Sequence, residues 1–262
     1  MTQLGKRLAT SAVLVSLAIF TIFAAPLWLF TIVIELLVLT ALYEYLSMAE
    51  KKGLAVNRAA SLALGALMPI AFLLRLDLLA ILAACLTLFI VNFKKEKLHQ
   101  AFVSTSVSFL GVVYVAWFFS TLIYLRQIPQ GAQWVFFAAL VVKGGDAGAY
   151  FVGRKLGKAK LLEHVSPNKS VEGAWAGFLT SVILAMFSKT YIPSVDFHHF
   201  LFLGVLAGVI SQLGDLAESL IKRDAGIKDS GTVPGLGGIL DVLDSLLLTI
   251  PLVYFYLMRF VY

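Results

Sequence analysis

The sequence predicts an all-α, polytopic integral membrane protein of about nine transmembrane helices with a cytoplasmic N-terminus. Three observations carry that expectation. Hydrophobic residues make up 60% of the 262-residue chain and charged residues 14%, against about 45–50% and about 25% in a soluble domain. Mean hydropathy is +0.91. Apolar runs of crossing length recur at 8–25, 27–47, 59–75, 77–93, 102–125, 134–151, 172–191, 200–217 and 240–258. The runs are continuous and do not alternate with polar residues, which selects helix over barrel strand, since a lipid-exposed backbone must satisfy its own hydrogen bonds.

At about 20 residues per crossing plus a short connection, these runs consume the whole chain and leave no separate soluble domain. One membrane domain, 1–262, is therefore expected, with spans of low motif content over 1–130 and the functional spans and loops over 131–262. Lys6 and Arg7 ahead of the first run imitate a secretory signal, but further spans follow at once, so the run is read as a retained span. Cys85, the single cysteine, lies in the fourth run and can form no intramolecular disulfide. Basic residues cluster in alternate connections: Lys6 and Arg7; Lys51, Lys52 and Arg58; Lys94, Lys95 and Lys97; Arg154, Lys155, Lys158, Lys160 and Lys169; Lys222, Arg223 and Lys228. Retention of such residues on the cytoplasmic side puts the N-terminus inside and the C-terminus outside. The net charge of +6 then faces anionic lipid headgroups. Topology alone accounts for the loops at 51–58 and 94–97.

Two stretches ask for more. The first, KGGDAGAYFVGRKLGKAKLLEHVSPNKSVEGAWAG from Lys143 to Gly177, begins while the chain is still apolar. Ionisable residues at membrane depth cost a few kcal/mol unless they face a cavity or a partner. Lys143 and Asp146, three apart, can pair on one helix face, as a structural ion pair or as part of a site. Gly144, Gly145, Gly148 and Gly153 suit either close helix packing or approach of the backbone to a phosphate. No nucleotide-binding fingerprint of the strand-turn-helix kind is present.

The second stretch, GDLAESLIKRDAGIKDSGTVPGLGGILDVLDS from Gly214 to Ser245, is the more specific. On a helix over 200–222, Ser211, Asp215, Glu218 and Lys222 form one polar stripe, which has to face inward. PGLGG then breaks the chain. Asp241 and Asp244 follow three apart at the start of the last helix, where the dipole favours Asp241 but does not explain Asp244. Carboxylates converging from two helices beside Lys222, Arg223 and Lys228 suit a hard divalent cation, and Mg²⁺ completes its shell with water and substrate phosphates. Neighbouring cations would neutralise further phosphate charge. The expected chemistry is a metal-assisted reaction on phosphates at the inner membrane surface. A purely structural network is the plainer alternative.

At these residues the chain resembles the phosphatidate cytidylyltransferases, or CDP-diacylglycerol synthases. Their signature S-x-x-K-R-x-x-x-x-K-D-x-G, then P-G-H-G-G and D-R-x-D-S, is met by Ser219, Lys222, Arg223, Lys228, Asp229, Gly231, Pro234, Gly235, Gly237, Gly238, Asp241, Asp244 and Ser245. An upstream element resembling D-x-G-A-Y-x-x-G-R-x-x-G and S-P-x-K-x-x-E-G is met by Asp146, Gly148, Ala149, Tyr150, Gly153, Arg154, Gly157, Ser166, Pro167, Lys169, Glu172 and Gly173. The N-terminal half offers only its spans and YEYLSMAE. Leu236 replaces the family His, Val242 its Arg, Val171 stands where Trp is usual, and SGTVPG is one residue short of the pattern. Every carboxylate of the cluster remains, so an active enzyme is expected.

The resemblance implies condensation of CTP with phosphatidic acid to CDP-diacylglycerol and pyrophosphate, in phospholipid biosynthesis at a bacterial inner membrane. It implies Asp215, Asp241 and Asp244 as Mg²⁺ ligands, a second cation being a candidate. Lys222, Arg223, Lys228 and Asp229 are expected in the catalytic set, and Asp146, Tyr150, Arg154 and Lys169 as substrate-pocket residues. Nucleic acid is not an expected partner; a homodimer is a candidate assembly. An ion-coupled transporter and a noncatalytic lipid-binding relative are the rival readings.

Overall fold

The computed structural model describes residues 15–93, 95–231 and 237–262, which form two compact units. One unit contains the chain up to Gln127 together with Asp229–Val242; the other contains Ile128–Lys228 and Leu243–Tyr262. The boundary falls within the last helix. It cuts the second polar stretch rather than separating an N-terminal from a C-terminal half.

In the first unit residues 15–23 are helical, followed by α1 (Leu27–Lys51), α2 (Arg58–Leu73), α3 (Asp77–Val91), α4 (Ala101–Gly111), a π-helical turn over Val112–Trp117 and α5 (Phe118–Gln127). Helix α1 stops because Gly53 takes a φ of 82°; its N–H returns to Glu50 O at 2.8 Å and that of Leu54 to Ala49 O at 3.0 Å. This double closure satisfies carbonyls that the helix end would orphan. Buried Asn57 ties the loop before α2 to α4, its backbone N–H donating to Ser108 Oγ at 2.9 Å and its side-chain amide to Ser104 Oγ at 3.0 Å. Phe72 on α2 fills the core against Trp117 and Tyr124, with ring centroids 5.8 and 4.6 Å away.

The second unit runs α6 (Gly131–Leu156), a small antiparallel hairpin of β1 (Lys160–Leu162) and β2 (Ser166–Ser170), α7 (Val171–Phe187), α8 (Phe197–Asp224) and the larger part of α9 (Ile239–Phe260). The hairpin is the departure from an all-helical chain. Glu172 holds it down, its carboxylate accepting from Lys158 N at 3.0 Å and Ala159 N at 3.2 Å, while Ser170 Oγ caps α7 by accepting from Gly173 N at 3.1 Å. Small residues let these helices touch backbone to backbone, the usual device where lipid gives no hydrophobic drive between helices. A Cβ on Gly177 would lie 2.9 Å from Ala149 Cβ and 3.0 Å from Gly145 O, and one on Gly204 2.7 Å from Ala185 Cβ. Most of the glycines after Lys143 thus serve packing.

Among the described residues six helices are long and apolar enough to cross a membrane: Leu27–Lys51, Leu98–Gln127, Gly131–Leu156, Val171–Thr190, Phe197–Asp224 and Ile239–Phe260. Arg58–Leu73 and Asp77–Val91 are apolar but shorter, 16 and 15 residues. Each apolar run from 27 onward falls on a helix. The first run lies partly outside the described residues, as do Lys6, Arg7 and Lys94. Large apolar side chains such as Leu78, Phe102 and Ile183 are largely exposed, as expected where lipid is the solvent.

A Cβ on Gly173 would come within 2.9 Å of Ala149 O and 3.1 Å of Gly153 Cα. Gly173→Ala should force α6 and α7 apart and destabilise the protein by about 1–3 kcal/mol, the usual scale of overpacking. A thermal melt in detergent measures the drop.

Candidate active site

The polar stripe on α8 faces inward. Ser211, Glu218 and Lys222 are buried and Asp215 is half-buried. Glu218 and Lys222 form an ion pair one helical turn apart, so the Lys222 charge is balanced within its own helix. Helix α8 ends at Asp224, just beyond Lys222. Gly226, at φ 70°, returns its N–H to Arg223 O, and Ile227 returns its own to Lys222 O, both at 3.0 Å. Arg223 is exposed and braces its surroundings, donating from Nε to Val165 O at 3.2 Å and from a terminal nitrogen to Ile227 O at 3.1 Å. Lys228 and Asp229 follow, both exposed.

A cavity of about 550 Å³ opens among α6, the hairpin, α7 and α8. Its polar lining includes Asp146, Tyr150, Arg154, Lys169, Gln212 and Asp215. The four residues expected in the pocket all line it, together with Asp215 from the expected metal set. Lys169 reaches from β2 to Asp215 Oδ2 at 2.6 Å. Both groups are partly exposed, and a pair of that kind adds little stability. Its value is to keep a cation beside a carboxylate inside a concave site. Arg154 donates to Tyr150 Oη at 3.0 Å from an exposed position on α6.

A second polar knot joins α6 to α9 within the same unit. Lys143 Nζ donates to Asp146 Oδ2 at 3.1 Å and to Ser245 Oγ at 2.9 Å, and Ser245 Oγ in turn donates to Asp146 Oδ2 at 3.0 Å. The pair expected from the spacing of Lys143 and Asp146 forms, and Ser245 closes it into a triangle. Buried Asp244, next in sequence, lies within electrostatic reach of Asp215, Lys143 and Asp146. Helices α8 and α9 approach closely because residue 214 has no side chain; a Cβ there would sit 2.7 Å from Asp244 O.

Asp241 belongs to the first unit, where Oδ2 accepts from Gly238 N at 2.6 Å, Ser230 N at 2.9 Å and Ser230 Oγ at 3.0 Å. It closes a turn at the start of α9. Gly237 is needed there, with φ 85° and room for a Cβ only 2.6 Å from Asp241 Oδ2. Val242, in place of the family Arg, is half-buried in the same helix; Pro234, Gly235 and Leu236 lie outside the described residues. Among the described residues no group of three or more His, Cys, Asp or Glu is disposed to hold a metal ion. Mg²⁺ usually takes only one or two protein carboxylates, and Asp215 and Asp244, hard oxygen donors at the same locus, suit that need.

Ser245 and Gln212 were not singled out from the sequence for any role. Gln212 sits one residue from the polar stripe, and its amide nitrogen donates to Ala174 O and Gly208 O at 3.1 and 2.9 Å. No sequence pattern marks such a residue, because its importance depends on which helix lies opposite. Ser245 did fall within the matched signature, though without a stated partner.

Comparison with known proteins places the chain in a family. The chain belongs to the cytidylyltransferase family, whose model matches residues 5–260. It is 31% identical to the phosphatidate cytidylyltransferase of Synechocystis over 284 aligned positions, covering 96% of this chain and 95% of that protein. It is 41% identical to the phosphatidate cytidylyltransferase of Bacillus subtilis, over 58% of this chain and 57% of the relative. The Staphylococcus epidermidis enzyme of the same name is 38% identical over 59% of this chain and 58% of its own length. The chain thus spans somewhat over half the length of the last two relatives and nearly all of the first.

Ser245→Ala removes the hydroxyl that links Lys143 to Asp146. It should lower stability by about 1 kcal/mol, the net worth of a typical hydrogen bond, read as a reduced denaturation midpoint in detergent.

Proposed function

We propose that the chain is a phosphatidate cytidylyltransferase, joining CTP to phosphatidic acid to give CDP-diacylglycerol and pyrophosphate. The observation that supports this most is the cavity lined by Lys169, Arg154, Asp215 and Asp146 within a membrane-type helical body. It offers phosphate-binding cations beside hard-cation ligands where a lipid substrate resides.

An oxygen of the phosphatidate phosphate attacks the α-phosphorus of CTP in line; the new P–O bond forms as the bond to the bridging β-phosphate oxygen breaks. The attacking phosphate is already anionic, so no covalent enzyme nucleophile is required. Lys169, paired with Asp215, is placed to meet a phosphate oxygen, and Arg154 adds a second cation at the rim. Lys143 and Ser245 keep Asp146 oriented. Asp215 and Asp244 would hold Mg²⁺, which when bound supplies Lewis-acid stabilisation of charge on phosphate oxygens. Asp241 shapes the turn ahead of Asp244. Lys222, Arg223, Lys228 and Asp229 are kept in the catalytic set on the strength of the matched signature. Leu236 and Val242 in place of His and Arg are compatible with activity if turnover depends on positioning and charge.

The wider assignment is a multi-pass protein of the bacterial inner membrane with about nine spans, N-terminus and site facing the cytoplasm, as basic-residue placement directs. Phosphatidate would enter sideways from the leaflet near exposed Phe151 and Trp175. A homodimer and a second cation belong to the same proposal.

Purified protein in detergent, given CTP, phosphatidic acid and Mg²⁺, should form CDP-diacylglycerol and pyrophosphate in equal amounts. No product from folded protein rejects the assignment; lipid binding without turnover identifies a noncatalytic relative, and ion-driven uptake in proteoliposomes a transporter. Asp244→Asn should reduce turnover at least about 100-fold, the scale of losing a principal electrostatic group. Its ligand-free thermal midpoint should hold or rise, because a buried carboxylate facing Asp215 is removed.

A further inference from the structure

Glu44 is a carboxylate in the C-terminal third of α1, an apolar helix of the chain's N-terminal half, and it is buried. At such depth an ionisable side chain requires partners. Ser230, Ile239 and Leu240, in the same unit, supply partners for its carboxylate. Oε1 accepts from Ile239 N at 3.0 Å; Oε2 accepts from Leu240 N at 2.8 Å and lies 2.9 Å from Ser230 Oγ. The hydroxyl of Ser230 has one proton and stands between two carboxylates, Glu44 and Asp241, the latter at 3.0 Å.

The surroundings are built to admit this group. A Cβ on Gly231 would lie 2.9 Å from Gly238 Cα and collide with the Glu44 carboxylate, and one on Gly238 would lie 2.6 Å from Gly231 N and collide with the same carboxylate. Two glycines of the matched signature therefore leave the space that Glu44 occupies. Its negative charge also meets the N-terminal end of α9, where orphan N–H groups and the helix dipole favour an anion.

We infer that Glu44 is a positioning residue for nucleotidyl transfer: from the N-terminal half of the chain it fixes the first turn of α9 and, through Ser230, the carboxylate of Asp241. It touches no substrate. The inference rests on the assignment of cytidylyltransferase activity, and it gives the otherwise motif-poor N-terminal half a role in ordering the start of α9. Both carboxylate oxygens are acceptors here, so an isosteric amide cannot substitute; Glu44→Gln turns an NH₂ toward either Ile239 N–H or Leu240 N–H.

The test compares wild type with Glu44→Gln in detergent. Wild-type formation of CDP-diacylglycerol is established first, since its absence would overturn the assigned activity and not the role of Glu44. Expected for the variant are a kcat at least 10-fold lower, a KM for phosphatidic acid within 2-fold of wild type, and amide exchange at residues 239–243 at least 10-fold faster, with exchange in α7 and α8 unchanged. Wild-type kcat, or a loss of activity that merely follows the folded fraction, overturns the inference. If Glu44→Gln does not fold, Ser230→Ala carries the test, since it cuts only the link between the two carboxylates. A kcat reduced about 3-fold with unchanged phosphatidate KM supports the inference, and wild-type kcat overturns it.

Discussion

Carboxylates placed inside an apolar helical body have to be met by donors or cations, and that constraint organises both units. Asp146 is met by Lys143 and Ser245, Asp215 by Lys169, Glu218 by Lys222, and Glu44 by the first amides of α9. Each pairing joins an acid at or near membrane depth to a partner fixed by the backbone, so the polar groups are oriented before any substrate arrives. Preorganisation of this kind is what electrostatic stabilisation of a phosphoryl reaction calls for. It also limits the sequence, because removing one partner leaves an uncompensated charge in a poor solvent for it.

Glycine supplies the complementary constraint. Helices α6, α7 and α8 approach at backbone contact through residues 145, 173, 177 and 204, and the resulting rigid frame leaves a cavity at the end where the hairpin folds over. Gly214 performs the same service beside Asp244. Close packing and charge placement are thus one design: the helices have to touch for Lys143, Asp146 and Ser245 to meet.

Much of this was legible in the chain. The apolar runs located every helix from α1 onward, because a lipid environment forces a long, uninterrupted and therefore visible pattern. The inward direction of the α8 stripe followed from spacing and the cost of exposing it. The pairing of Lys143 with Asp146 needed only a helical period. Less legible was the hairpin over 160–170, which is short, polar and held by Glu172 from outside its own sequence. Glu44 was open to the same reasoning that marked Asp146, an acid within an apolar run, yet its meaning was hidden because its partners are backbone amides nearly two hundred residues away.

What the sequence by itself determined is the membrane class, the helical register and the cytidylyltransferase signature, all of which depend on local periodicity or on residue order. Tertiary structure decided the rest: that Lys169 answers Asp215, that Asp241 and Glu44 share Ser230, and that the signature glycines are spaces for carboxylates and neighbouring helices. Those facts concern distances between segments remote in the chain. No one-dimensional pattern encodes such distances until the backbone has brought the segments together.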